Sequence, residues 1–359
     1  MVLGYFVITT LYFGYNDINS EKGVFRFYWS GLRGLSKYSQ FGFEFKKNEI
    51  VNTKFNGVDG PYVLGGTFYF VDKDNVFHRQ KMRADATIDV QTSSVDLPKF
   101  TVKLKDSIGL EKDVYDMHQK LIDISDIEGN FNALDSFLFG NNVIDSSGHW
   151  IFGNGHLVLN GDFVDRANQV SQVLWLIYSL ESEAVAAGGK VHFIMGNHEV
   201  MNLYGDVSYN DYKYMTVAKK TSGQNDWYKA LIYLYSEQSE LGRWLRSKNI
   251  VEKIGAVVFV HGGLNTYHLE GKYSIHELNT IARKYYGRVL TEQSIKADRD
   301  RQVLSSINSP FWDRRLNFDW KYKMLYKLNG ISASATTQDE LERILKFYNG
   351  SAIVIGHSV

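Results

Sequence analysis

Apolar residues alternate with polar ones between Gly23 and Lys105: Phe25, Phe27 and Trp29, then Phe41, Phe43 and Phe45, then Phe68 and Phe70, then Phe100, Val102 and Leu104. A period of two sends successive side chains to opposite faces, so this stretch is expected to form half-buried antiparallel strands. Asn56-Gly57, Asp59-Gly60 and Gly65-Gly66 provide the turns. After Lys105 the pattern changes. Short apolar runs at 121–124, 157–159, 191–195, 256–260 and 352–355 alternate with stretches of helical spacing. One helix is marked by Val170, Val173, Leu174, Ile177 and Leu180 on one side and is stopped by Gly188-Gly189. Others are expected from Asp226 to Leu245 and from Ile275 to Tyr286. Apolar runs and helices in alternation predict an α/β layered domain, and the change of period puts a boundary near residue 118. The expected organisation is an apolar segment over 1–16, a β-rich accessory region over 17–118, and an α/β domain over 119–359 with helical insertions near 203–250 and 270–345.

Each of the five apolar runs after Lys105 is followed at once by polar residues able to bind a metal. They are Ser125-Asp126-Ile127-Glu128-Gly129-Asn130, Asn160-Gly161-Asp162-Phe163-Val164-Asp165-Arg166, Gly196-Asn197-His198-Glu199, His261-Gly262-Gly263 and Gly356-His357-Ser358. Ligands of open α/β sheets gather beyond the carboxyl ends of the strands, so five such clusters can converge although they are scattered in sequence. Singly, each has a plainer reading. Asp126 and Asp162 suit helix caps, and His261 or His357 alone suits a hydrogen-bonded core histidine.

Composition narrows the chemistry. With 44% apolar residues the chain can bury a sizeable core, and Lys plus Arg equals Asp plus Glu at 40 each, so there is no basic excess to hold nucleic acid. There are no cysteines, which leaves oxygen and imidazole as metal ligands. The apolar residues from Met1 to Tyr15 lack a basic start and are too few for a full membrane span. They fit either the tail of a membrane anchor or a buried first strand or helix. The compartment therefore stays open: cytoplasmic, or membrane-anchored or periplasmic in a bacterium.

In order, these motifs resemble the signature of the calcineurin-like metallophosphoesterases: Asp-x-His, Gly-Asp-x-x-Asp-Arg, Gly-Asn-His-Glu, Val-His-Gly-Gly and Gly-His-Ser/Thr. Three further stretches are similar to the phosphoprotein phosphatase branch, in particular its bacterial Shewanella-like type. They are Gly196-Asn197-His198-Glu199-Val200-Met201-Asn202-Leu203 continuing to Gly205-Asp206, then Gly242-Arg243-Trp244-Leu245, then Ser309-Pro310-Phe311-Trp312-Asp313-Arg314. The resemblance covers 119–359 and does not reach the amino-terminal region. It implies a β-sandwich flanked by helices in four αββα layers, and a phosphomonoesterase in which a hydroxide bridging two divalent ions, about 3.5 to 4 Å apart, attacks phosphorus directly. By resemblance Asp126, Glu128 and Asp162 hold one ion, and Asp162, Asn197, His261 and His357 the other. This ligand set suits manganese first, with iron, zinc or magnesium as alternatives. His198, paired with Asp165, is implied as the acid for the leaving oxygen, with Arg166 and Arg314 gripping phosphate. For either arginine the plainer reading is a surface ion pair.

The implied substrate is a phosphorylated protein, with dinucleoside polyphosphates or other small phosphoesters as the rival. Two departures from the family stand out. Glu128 occupies a histidine position, which allows three readings: a harder first metal site, a weakened site in a protein of low activity, or a glutamate turned away with water completing the shell. The chain also stops at Val359, just after the fifth motif, either as a fragment or with an early-closing sheet. The insertions are expected to cap the metal centre, with Tyr204, Tyr209, Tyr212 and Tyr214 read as packing residues. The β-rich region is a candidate for targeting or partner binding.

Overall fold

The structure, a computed structural model, describes residues 1, 3–5, 7, 15–19, 24–29, 41–46 and 57–359, except 118, 119, 207, 208, 212, 225, 291, 306, 329 and 359. The chain divides into two compact units, Met1–Lys54 with Arg315–Thr336, and Phe55–Arg314 with Thr337–Val359. In the first, β1 (Tyr15–Asn19), β2 (Val24–Trp29) and β3 (Phe41–Lys46) form an antiparallel meander. Phe25 stands opposite Phe45, Phe27 opposite Phe43 and Trp29 opposite Phe41, so the alternating aromatics of the sequence fall in register. Most of the apolar segment 1–16 lies outside the described residues, as does Tyr212. Among the described residues no helix is long and apolar enough to cross a membrane.

In the second unit, β4 (Asp59–Leu64), β5 (Thr67–Val71) and β6 (Phe77–Lys81) form one meander, and β7 (Thr87–Gln91) and β8 (Lys99–Lys103) a hairpin. Ile88, Val90, Phe100 and Val102 are buried while Asp89, Lys99, Thr101 and Lys103 are exposed, as period-two alternation requires. Then come β9 (Val114–Tyr115), β10 (Leu121–Ile124), α1 (Phe131–Gly140), β11 (His156–Asn160), α2 (Val170–Ala186) and β12 (Lys190–Ile194). β10, β11 and β12 make a parallel sheet. A second sheet has the order β15-β14-β13-β9, from β13 (Val251–Ile254), β14 (Val257–Val260) and β15 (Ala352–Val354). Val158, Ile194, Ile254 and Phe259 pack together from both sheets, which forms the sandwich core.

Helix α2 differs from its expected form with a single apolar side, because it is buried nearly all round from Val170 to Leu180. One side lies against β12, and the other is covered by β4, β7 and β8. Its polar groups reach those strands: Ser171 Oγ donates to Gly60 O (3.1 Å), Gln172 Nε2 to Gln91 O (3.2 Å) and Trp175 Nε1 to Pro61 O (2.7 Å). The accessory strands β4, β7 and β8 thus serve as an outer wall of the α/β domain. They belong to the same compact unit, which begins near 55 and runs through the change of period near 118.

The insertion after β12 carries α3 (Asn197–Tyr204), α4 (Lys213–Ser222), α5 (Trp227–Leu234) and α6 (Glu240–Arg246). The single helix expected from Asp226 to Leu245 is two helices, because Ser239 caps α6 through Gly242 N (2.8 Å) and interrupts the run. The insertion expected over 270–345 is also divided, since residues 315–336 belong to the first unit. Its first helix, α7 (Ile275–Tyr285), begins at the N-cap Ser274.

A buried charge cluster fastens the link between accessory strands and sandwich. Lys248, 1% exposed, donates to Glu111 Oε1 (2.9 Å) and Glu181 Oε1 (2.6 Å), while Lys190 pairs with Glu111 and Lys105 with Glu181. Removing Lys248 leaves Glu111 and Glu181 with one of their two cations each, which costs up to the about 3–5 kcal/mol seen where a buried pair is broken outright. Lys248→Met is expected to lower stability at pH 7 by this amount in a denaturant melt. Burial opposes the Glu111 charge, but Lys248 and Lys190 bring its pKa from 4.5 to about 2. A depressed carboxylate contributes its stability above the unfolded value and loses it as pH falls toward the folded one. The gap between variant and parent should therefore narrow between pH 5 and about 2; a gap independent of pH would mean the cluster is held by packing alone.

Candidate active site

The site is assembled from the loops that follow β10, β11, β12, β14 and β15. Of eleven non-glycine residues with positive φ among the described residues, six lie in these loops: Asp126, Glu128, Asp162, Asp165, Arg166 and His357. Such backbone is costly for a side-chain-bearing residue and persists where surrounding contacts impose it. Here the first two loops are zipped together by Asp126 N to Gly161 O, Glu128 N to Asp162 O and Gly129 N to Phe163 O, each 2.9 Å. Gly161, at φ +87°, allows close approach of the third and fourth loops: a Cβ there would collide with the His261 ring and come within 2.8 Å of Gly196 Cα.

Asp162, His261 and His357 are buried and bring one ligand atom each to a common point. Asp162 Oδ2 lies 2.9 Å from His261 Nε2. His261 Nδ1 bonds the Asn160 carbonyl (2.7 Å), and a carbonyl can only accept, so Nδ1 carries a proton and Nε2 is the nitrogen aimed inward. The amide oxygen of Asn197 faces only acceptors: His357 Nδ1 at 2.8 Å, Asp162 Oδ2 at 3.2 Å and His261 Nε2 at 3.3 Å. Rotating the amide would relieve this crowding, but so would a cation among the four atoms, without moving any of them. Two oxygens and two nitrogens with lone pairs converging in a buried site fit a divalent transition metal.

The electrostatics point the same way. Burial would discharge both partners, yet His261 holds the Asp162 pKa near 2, and Asp162 lifts that of His261 to about 9. The carboxylate thus demands a positive charge beside it, as a proton or as a cation. His357 is kept neutral, its pKa lowered to about 2 by burial and by the charges of His261 and Arg314.

The other sequence candidates are placed differently. Asp126 Oδ2 accepts from His357 N (3.1 Å) at the edge of this group. Neither it nor Asp162 caps the helix that follows it in sequence, since Asn130 caps α1 and Gln169 precedes α2, but Asp162 Oδ1 accepts from His198 N in the first turn of α3 (2.9 Å). Glu128 is not gathered with Asp162, His261 and His357 but pairs through Oε1 with Arg166 Nε (3.1 Å). Burial raises its pKa, and Arg166 works against that rise. Arg314 donates to the His357 carbonyl and to Ser358 Oγ (3.4 Å), bracing the last loop.

Beside the cluster, His198 Nδ1 bonds Asp165 Oδ2 (2.7 Å), and its Nε2 lies 3.9 Å from Asp162 Oδ2. Burial opposes a charged imidazole, but the Asp165 bond and the Asp162 charge outweigh it, so the His198 pKa stands above 6.5. The remaining Asp165 oxygen accepts from Asn202 Nδ2 and Asn210 Nδ2, both at 2.8 Å.

Several residues here received no role from the sequence. Glu199, fully buried, accepts backbone N–H bonds from Asp162 (2.9 Å), Phe163 (2.7 Å), Val164 (3.2 Å) and Gly196 (2.8 Å). Its pKa is raised to about 7 by burial and the nearby Asp162 charge. One carboxylate therefore ties together the loops that carry Asp162 and Asn197. A signal existed, since Glu199 is the third residue of α3, where a carboxylate bonds back to the helix start. Asn202 was also findable, four residues after His198 on the same helical face. Tyr209, expected to pack, is 47% exposed, with its ring in edge-to-face contact with His198 (centroids 5.0 Å apart).

The sequence model of the family described as calcineurin-like phosphoesterase matches residues 116–359. Shewanella-like protein phosphatase 1 of Plasmodium berghei (strain Anka) is 29% identical over 239 residues, covering 67% of this chain and 61% of that protein. Shewanella-like protein phosphatase 2 of Arabidopsis thaliana is 25% identical, covering 55% of this chain and 59% of that protein. The chain thus spans about three fifths of the length of these curated relatives. Among solved structures, the crystal structure of a cold-active protein-tyrosine phosphatase of a psychrophilic Shewanella species superposes with a TM-score of 0.70 at 33% identity, covering 84% of this chain and 85% of that one.

Proposed function

The chain belongs to the calcineurin-like phosphoesterase family, and from that premise we propose that it hydrolyses phosphomonoesters of proteins, using two divalent cations with manganese first. The observation that carries this reading is the acceptor-only cluster of Asp162 Oδ2, Asn197 Oδ1, His261 Nε2 and His357 Nδ1 beside the His198–Asp165 pair. Divalent cations held at such a cluster supply Lewis acidity at phosphorus and make water a nucleophile at neutral pH.

The protein's own groups do the rest. Arg166, with its side chain 54% exposed, offers guanidinium donors to the phosphoryl oxygens, and Glu128 orients it. His198 delivers a proton to the departing oxygen, and Asp165 fixes the ring with Nε2 toward the cluster. Asn202 and Asn210 hold Asp165 in turn, so the proton donor cannot swing away. A protein substrate is supported by the protein phosphatases among the relatives and by the protein-tyrosine phosphatase to which the fold is similar.

A second reading, one firmly held cation and low activity, is favoured by the Glu128–Arg166 pair, which draws a first-site ligand away. Elemental analysis and turnover decide between them. Two equivalents of metal, with a phosphopeptide preferred over diadenosine tetraphosphate, are expected. One equivalent that rises to two in Glu128→His would favour the second reading. Absence of turnover on either substrate with manganese supplied would remove the proposal.

A further inference from the structure

We propose that Tyr209 is a specificity-determining residue, a platform beside the leaving group that favours aryl over alkyl phosphates. This rests on the phosphomonoesterase reading above.

Three contacts locate its ring. The ring meets that of His198 edge to face, with centroids 5.0 Å apart and planes at 64°. The Arg166 guanidinium lies over the ring, 5.6 Å from its centroid. The Tyr209 carbonyl accepts the Arg166 amide at 3.0 Å. The tyrosine therefore spans the proton donor and the phosphate grip. Its neighbour Asn210 donates to Asp165 Oδ1 and Asn202 Oδ1, both at 2.8 Å, so the loop is registered on the same dyad that orients His198.

Position then dictates what the ring can touch. An ester oxygen that takes its proton from His198 must sit within hydrogen-bond reach of that imidazole. Whatever the oxygen carries is placed beside the exposed part of Tyr209, which is 47% accessible and so can still cover a ligand. An aromatic leaving group gains a ring contact there. A serine side chain ends its reach at one methylene and makes much less contact.

Aromatic pairs of this kind are worth a factor of roughly 2 to 12, so a change of about fivefold is expected. The test compares kcat/KM on two peptides of identical flanking sequence, one with phosphotyrosine and one with phosphoserine, with manganese supplied. In Tyr209→Ala the phosphotyrosine-to-phosphoserine ratio should fall by about fivefold, while Tyr209→Phe, which keeps the ring, should hold the parent ratio. A ratio unchanged in Tyr209→Ala, whatever happens to the absolute rates, overturns the assignment. If the parent protein hydrolyses both peptides, that failure touches Tyr209 alone. If it hydrolyses neither, the phosphomonoesterase reading falls and takes this one with it.

Discussion

Asp162→Asn is expected to yield a folded protein that retains little metal and turns over phosphomonoesters about a thousandfold more slowly, or worse, a loss of about 4 kcal/mol of transition-state stabilisation. Asp162 is 2% exposed and uses both oxygens. Oδ1 accepts from His198 N at 2.9 Å, while Oδ2 faces His261 Nε2 at 2.9 Å and Asn197 Oδ1 at 3.2 Å. An amide can keep the first bond with its oxygen, and that keeps the loop in place. It then presents an uncharged N–H group to the point where the other ligands converge. The negative charge that raises the His261 pKa to about 9 disappears as well. Metal analysis and phosphatase assays on the same preparation check this. Full metal retention with turnover within tenfold of the parent would show that Asp162 is not at the centre of the chemistry.

His198→Asn should spare the metal and slow hydrolysis by about 10²–10⁴-fold, unevenly across substrates. The loss should be largest for an alkyl phosphate, whose departing oxygen needs a proton, and smallest for p-nitrophenyl phosphate, whose departing oxygen does not. A pH profile gives a second readout. The His198 pKa is raised, so the proton donor is intact at low pH and is lost as pH rises through the folded value. The variant should lack that alkaline fall. Equal losses on both esters, with the pH profile unchanged, would assign His198 to structure and leave proton transfer to another group.

The parts of the fold that could be read from the sequence are those with local periodicity. Phe25, Phe27, Trp29, Phe41, Phe43 and Phe45 lie in paired strands, and the five apolar runs after Lys105 match β10, β11, β12, β14 and β15 to within one residue at either end. Periodicity does not say what packs on what. Nothing local marked α2 as covered by β4, β7 and β8 on the side away from β12, since that cover comes from residues some 80 to 110 positions earlier in the chain. A single apolar side was the expected form of a surface helix.

The candidate site divides along the same line. Asp126, Asp162, Asn197, His261 and His357 were legible as candidates because each follows a strand end, where the strands of an α/β fold present their ligands. Their identities and order needed no coordinates. The tertiary structure decided which of them share a point, and which neighbours hold them. It pairs Glu128 with Arg166, turns Arg314 onto the His357 loop, sets Tyr209 against His198 and ties two loops with Glu199. The reason is physical. A strand end is a property of a few consecutive residues. A contact between side chains on different loops depends on the left-handed backbone at Asp126, Glu128, Asp162, Asp165, Arg166 and His357, which only the packing of the surrounding loops imposes.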